Sequence, residues 1–128
     1  MDNRAQRLKR LVKLQEQIKA LHETRHATYV AEANAARADA SELLSALNAA
    51  SPLPGLFPDL YNRRIGDAFA LEERKTAQAK HEQGQVATAT ARTNIVERAW
   101  RDALRAEERS AAEKEQLESV ERNVTDRK

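Results

Sequence analysis

All three prolines of the chain, together with one of its three glycines, fall within seven residues: Pro52-Leu53-Pro54-Gly55-Leu56-Phe57-Pro58. Proline has no backbone donor and clashes with the preceding turn, so a helix entering this stretch cannot run through it. On either side only Gly66 and Gly84 interrupt otherwise helix-compatible sequence. The expected organisation is helix over 3–50, connection over 51–58 and helix over 59–126. Asp59 is a candidate N-cap for the second helix, or Pro58 its first-turn residue.

Composition supports helices rather than a globule. The 128 residues include 24 alanines but only two Phe, two Tyr and one Trp. A length of this order suits one domain. Leu, Ile, Val and Phe together stay below the ~20% that borders on disorder, yet the high net charge of disordered chains is missing. The balance is 22 basic against 20 acidic side chains, net +2, so the pI of 9.1 overstates basicity and a general nucleic-acid-binding charge is absent. With no cysteine there is no disulfide framework, thiolate metal site or cysteine nucleophile. No apolar run approaches the ~18 residues of a membrane span, and the charged start Met1-Asp2-Asn3-Arg4 is unlike a secretory signal. A soluble, cytoplasmic helical protein is expected.

Periodicity places the apolar residues on seams. In the first helix, Leu8, Leu11, Gln15, Ile18 and His22 follow 3-4 spacing. A second four-residue step to His26 marks a stutter, and the pattern resumes at Tyr29, Ala33, Ala36, Ala40, Leu43 and Leu47. The second helix carries Ile65, Ala68, Glu72, Lys75, Ala79, Glu82, Val86, Ala89, Thr93, Val96, Trp100 and Ala103. That register continues through Glu107, Ser110, Lys114, Leu117 and Glu121 to Val124. Several seam positions are polar, which implies a weak, locally loose coil. The fold class that follows is all-α: a two-helix antiparallel coiled-coil hairpin with a longer C-terminal helix, residues 1–128 forming one unit. The helices span about 70 Å and about 100 Å. Folded back, positions pair when their numbers sum to about 109. Residues beyond Glu107 then have no partner in their own chain, an overhang of ~20 residues or ~30 Å. A free helix of that length is marginal in water.

Four features are candidates for chemistry or binding. His22-Glu23-Thr24-Arg25-His26 reads H-E-x-x-H, the helical zinc-binding pattern in which two imidazoles share a face. Tyr29 and Glu32 occupy the positions where the longer metalloprotease pattern needs Gly and His. Glu42 lies ~24 Å further along the same helix and cannot close a site. A polar turn at the stutter is the expected reading. Arg4, Arg7, Lys9, Arg10 and Lys13 interleave with Leu8, Leu11, Val12 and Leu14, and residues 1–25 hold seven basic and three acidic side chains. This arm either pairs with Glu97, Asp102, Glu107 and Glu108 of the second helix or meets an acidic protein, an anionic membrane or nucleic acid. No aromatic residue interleaves with its cations, which disfavours single-stranded nucleic acid. Leu53, Leu56, Phe57, Leu60 and Tyr61 make the connection apolar, either sealing the end of the coil or presenting a patch. Trp100, between Arg98 and Arg101, either packs over Leu8 and Leu11 or faces a partner.

Gly84 and the run Val86-Ala87-Thr88-Ala89-Thr90-Ala91-Arg92-Thr93-Asn94 form helix poorly and suggest a hinge or local fraying within a helical segment. No Ser/His/Asp arrangement, Gly-rich phosphate loop or acidic metal cluster is present in the sequence. A two-helix rod has no concave pocket for a substrate. No catalytic residue, metal or cofactor is assigned, and an enzyme is not expected.

The layout resembles the FliJ family, the chaperone-like component of the flagellar type III export apparatus, and the related YscO-type stalk proteins of virulence secretion systems. The resemblance rests on an N-terminal arm opening on Leu8, Leu11 and Leu14, a Pro/Gly turn and a longer charged return helix. Tyr61, Ile65 and Ala68 reproduce an aromatic-x3-aliphatic-x2-Ala pattern after the turn, on a surface that family uses toward the export gate protein. Val96, Ala99, Trp100 and Arg101, then Leu117, Glu118, Glu121 and Arg122, resemble its Trp-containing return helix. Glu72 stands where the family pattern has His. The resemblance implies a non-enzymatic coiled-coil adaptor similar to the stalk of rotary ATPases. It would touch an export ATPase ring through Arg4, Arg7, Arg10 and the overhang (Leu117, Val120), and the gate near Tyr61, Ile65 and Ala68. Export chaperones would be further partners, and the setting would be cytoplasmic with peripheral inner-membrane contact through the gate. Two other readings remain: a self-associating coiled coil using Leu117, Val120 and Val124, and a basic-arm protein on membrane or nucleic acid.

Overall fold

In the computed structural model, residues 3–49 and 53–127 are described. The expected helix end at Ala50, and Ser51 and Pro52 of the connection, lie outside them, as does the side chain of Leu53. Three helices account for nearly all the described residues: α1 (Arg4–Asn48), α2 (Leu53–Leu56) and α3 (Pro58–Asp126). The chain is all-α.

Local chemistry sets the helix starts. Asn3 and Gln6 form a reciprocal cap: Asn3 Oδ1 accepts from the Gln6 N–H at 2.8 Å, and the Asn3 N–H donates to Gln6 Oε1 at 3.2 Å. Two otherwise orphaned donors of the first turn are thereby satisfied. At α3 the first-turn role falls to Pro58. Its missing donor costs nothing there, and the Phe57 carbonyl accepts the Tyr61 N–H at 3.2 Å. Asp59 is therefore inside the first turn rather than its cap, where its charge suits the helix dipole. The proline cluster is also less irregular than its composition suggests. Leu53–Leu56 closes one helical turn, since a proline near a helix start has no bond to break.

Two compact units divide the chain: Ile18–Thr88, and Met1–Gln17 with Ala89–Lys128. Within 18–88, Ala33, Ala36, Ala40 and Leu43 of α1 are buried at 3-4-3 spacing, as are Ala68, Ala79 and Glu82 of α3. Cross-helix contacts join Arg37 to Glu72, Glu32 to Lys75 and His22 to Glu82. Residue numbers rise on α1 as they fall on α3, so the two helices run antiparallel within this unit. Arg37 with Glu72 meets the expected sum of about 109, Glu32 with Lys75 falls two short of it and His22 with Glu82 five short.

In the other unit the buried residues are Ala5 and Val12 of α1 and Ala89, Thr93 and Ala103 of α3. Leu11 is a correction: it is 38% exposed, and Val12, at 6%, takes the inward place. Thr93 is tolerated inside because its hydroxyl donates to the Ala89 carbonyl at 2.7 Å. Thr88 does the same to Gly84 at 3.1 Å. With these bonds α3 stays helical through Gly84–Asn94, the stretch in which the division between units falls. Every described residue from Glu108 to Arg127 is exposed.

The buried apolar set is unusual in kind. Apart from Val12 and Leu43 it consists of alanines, whereas Leu14, Leu21, Phe69, Ile95, Leu117, Val120 and Val124 are among the exposed large apolar residues. Alanine permits close helix approach, but each methyl contributes little burial. Gln15 Oε1 and Gln78 Oε1 are buried without a hydrogen-bond partner, each a cost of ~1–3 kcal/mol. Specificity must come from something besides apolar packing.

Candidate partner-binding surfaces

Within 18–88 polar seam positions make contacts from one helix to the other. His22 Nδ1 and Glu82 Oε2 are 2.5 Å apart, with the two side chains 17% and 9% exposed. An ionised carboxylate only accepts, so the ring nitrogen donates. Lys75 Nζ lies 2.7 Å from Glu32 Oε2 and 5.3 Å from the centroid of the Tyr29 ring, held by an ion pair and a cation–π contact at once. That ion pair serves Glu32 Oε2, although its angle is poor for a hydrogen bond. Arg37 Nε donates to Glu72 Oε1 at 2.8 Å. Of the polar seam positions, Glu72, Lys75 and Glu82 each find an α1 partner.

The H-E-x-x-H pattern is drawn into this seam. His22 is committed to Glu82, and His26 is half-buried one turn on. Among the described residues no group of three or more His, Asp or Glu converges as a metal site. Surface depressions follow helix faces, one lined by Asp102, Arg105, Glu108, Arg109 and Ala112.

Three surfaces remain open to partners. Around the connection, Leu56, Phe57 and Leu60 are 67%, 54% and 49% exposed, while Pro54 is buried. These three side chains lie outward instead of sealing an end. Tyr61 and Ile65 are half-buried beside them and Ala68 is buried, so of that trio the methyl of Ala68 faces its own unit.

The N-terminal arm is the second surface. Arg4, Arg7, Lys9, Arg10 and Lys13 are exposed. Glu97 and Asp102, expected opposite them, pair along α3 itself, with Arg101 at 3.6 Å and Arg105 at 3.1 Å. Among the described residues, Arg4, Arg7, Lys9 and Lys13 have no ion pair; Arg10 is engaged. Leu11 and Leu14 lie exposed among these cations. Trp100 is half-buried in the same unit.

The chain matches no protein-family model, no curated protein and no solved structure. Function must be argued from the surfaces themselves.

The third surface is the exposed end of α3. Leu117, Val120 and Val124 are 65%, 52% and 58% exposed, and their 3-4 spacing puts them on one face. Tyr61, Ile65 and Ala68 belong to the unit 18–88, whereas Arg4, Arg7, Arg10, Trp100, Leu117 and Val120 belong to the other. Sequence reasoning missed the Asn3–Gln6 cap, which its N-x-x-Q spacing signals, and the His22–Glu82 and Lys75–Tyr29 pairs. No local signal marks those two, because each joins residues more than forty positions apart.

Proposed function

We propose that this chain is a non-enzymatic coiled-coil adaptor of the FliJ type, folded as an antiparallel hairpin with a longer C-terminal helix. It couples an export ATPase to the export gate and to substrate chaperones of a flagellar or type III secretion apparatus. The place of action is cytoplasmic, with peripheral contact at the inner membrane through the gate. The observation that carries this reading is the division of exposed surface. Apolar and aromatic side chains surround the connection, and cations with an unpaired helix end mark the opposite termini of the sequence. An adaptor needs two such sites, distinct in chemistry, held on helices rigid enough to transmit a position.

In this assignment Arg4, Arg7 and Arg10, with Leu117 and Val120, address the ATPase, and Trp100 supports that end. Tyr61 and Ile65 address the gate, with Ala68 setting the helix face they occupy. No small-molecule substrate or cofactor enters. The test is binding of the purified chain to a hexameric export ATPase and, separately, to the soluble domain of the gate protein. Replacing Arg4, Arg7 and Arg10 by Glu should weaken the ATPase complex by about tenfold or more, chiefly at low salt, and leave gate binding unchanged. Replacing Tyr61 by Ala should do the reverse. No complex with either component would overturn the reading.

A further inference from the structure

The basic arm and the exposed end of α3 belong to the same compact unit, and they carry net charge of opposite sign. Residues 4–14 carry five cations and no carboxylate. On this helix Arg4, Arg7, Leu11 and Leu14 follow 3-4-3 spacing and so share a face. Leu11 and Leu14 are 38% and 50% exposed there. Residues 108–127 carry six carboxylates and four cations. Glu113 and Glu121 stand one turn before and after Leu117, flanking the stripe that Leu117, Val120 and Val124 form. Among the described residues none of these carboxylates has an ion pair, and neither do Arg4, Arg7, Lys9 or Lys13.

We infer that the occupant of the exposed α3 end is the basic arm of a second copy of this chain. The leucines of the arm receive Leu117, Val120 and Val124, and its cations meet Glu113, Glu118 and Glu121. Opposite charges across a pair of helices set partner choice and direction. Made reciprocally, the contact forms twice, as a two-fold dimer requires. An isolated helix of ~20 residues is marginal in water, and docking gives this one a buried face. The inference does not rest on the adaptor reading and needs no export component. Because Arg4, Arg7, Leu117 and Val120 serve both, a partner taking this surface would have to displace the second copy.

Sedimentation equilibrium of the purified chain, over a concentration series at low and high salt, tests it. The wild type should form a dimer whose dissociation constant rises about tenfold or more between the two salts. One variant reverses the arm (Arg4→Glu, Arg7→Glu, Lys9→Glu, Lys13→Glu) and another reverses the end (Glu113→Lys, Glu118→Lys, Glu121→Lys). Each alone should be monomeric, and an equimolar mixture of the two should recover a heterodimer. Circular dichroism checks that each variant keeps its helices. If a reversed chain loses them, the uncharged arm variant Leu11→Ser with Leu14→Ser supplies the deciding measurement: it should be monomeric, whereas pairing between the α3 ends would leave it a dimer. A wild type monomeric at every concentration would overturn the inference. So would a dimer that survives reversal of the arm, since the ends would then pair with each other.

Discussion

Residues 18–88 and residues 108–127 are written in the same alphabet of Ala, Glu, Lys and Arg, yet they differ in what the charges do. In the first region, carboxylates on one helix meet nitrogen-bearing side chains of the other across the seam: His22 with Glu82, Glu32 with Lys75, Arg37 with Glu72. In the second, every described side chain is exposed and no ion pair forms. Composition therefore does not distinguish a paired helix from an unpaired one. What distinguishes them is an alanine-lined face beside which long polar side chains can cross.

The sharpest way to break that contrast is to remove one partner of a buried pair. His22→Ala leaves the Glu82 carboxylate, 9% exposed, without its donor. It should cost about 3 kcal/mol in a urea titration of helicity. Adding Glu82→Leu should recover most of that loss, since replacing both partners of a buried polar contact by apolar groups leaves no group unsatisfied. Recovery would show that the damage came from the orphaned charge, not from the missing imidazole.

A smaller effect, about 2 kcal/mol, is expected from Ala40→Leu, because Ala40 is 1% exposed and extra methylenes have nowhere to go. The same change at exposed Ala111 should stay within about 0.5 kcal/mol. Equal losses at both sites would erase the difference between the regions. The smallest effect should be a gain. Gly84 is helical, has no positive φ, and a Cβ there would meet nothing within 4 Å. Gly84→Ala should raise stability by about 1 kcal/mol, read as a higher denaturation midpoint.

Much of the fold was legible because 3-4 spacing survives even where alanine replaces leucine. Ala33, Ala36, Ala40 and Leu43 were placed inward on spacing alone, and so were Ala68, Ala79, Ala89 and Ala103. Near the N-terminus the same rule failed. Leu8 to Leu11 to Gln15 and Leu8 to Val12 to Gln15 both satisfy it, and hydrophobicity cannot choose between Leu and Val. Ala5 would have decided, since Ala5, Leu8, Val12 and Gln15 keep strict 3-4-3 order, but an alanine near a helix start does not advertise itself as an anchor. The connection held one feature that its composition hid: Pro54 and Gly55 look like breakers, yet the single helical turn Leu53–Leu56 needs few backbone bonds.

The candidate surfaces were legible by residue and illegible by role. Charge and spacing drew attention to Arg4, Arg7, Leu117 and Val120, but exposure alone decides whether such residues are covered within their own unit. For Ala68 the outcome was burial. For Glu72, Lys75 and Glu82, partners arrive from more than thirty positions away. Only a folded register can supply them.

The alanine-lined faces also have a calorimetric consequence. Unfolding raises heat capacity in proportion to the apolar surface that water newly wets, typically ~12–15 cal/mol/K per residue. A chain that hides methyl groups and leaves Leu14, Leu21, Ile95 and Leu117 wet from the outset has little of that surface left to expose. Its increment should fall below the usual range, and its stability curve should be correspondingly flat. Cold weakens such a molecule less than it weakens an ordinary globule, and a shallow dependence on urea follows from the same small change in wetted area.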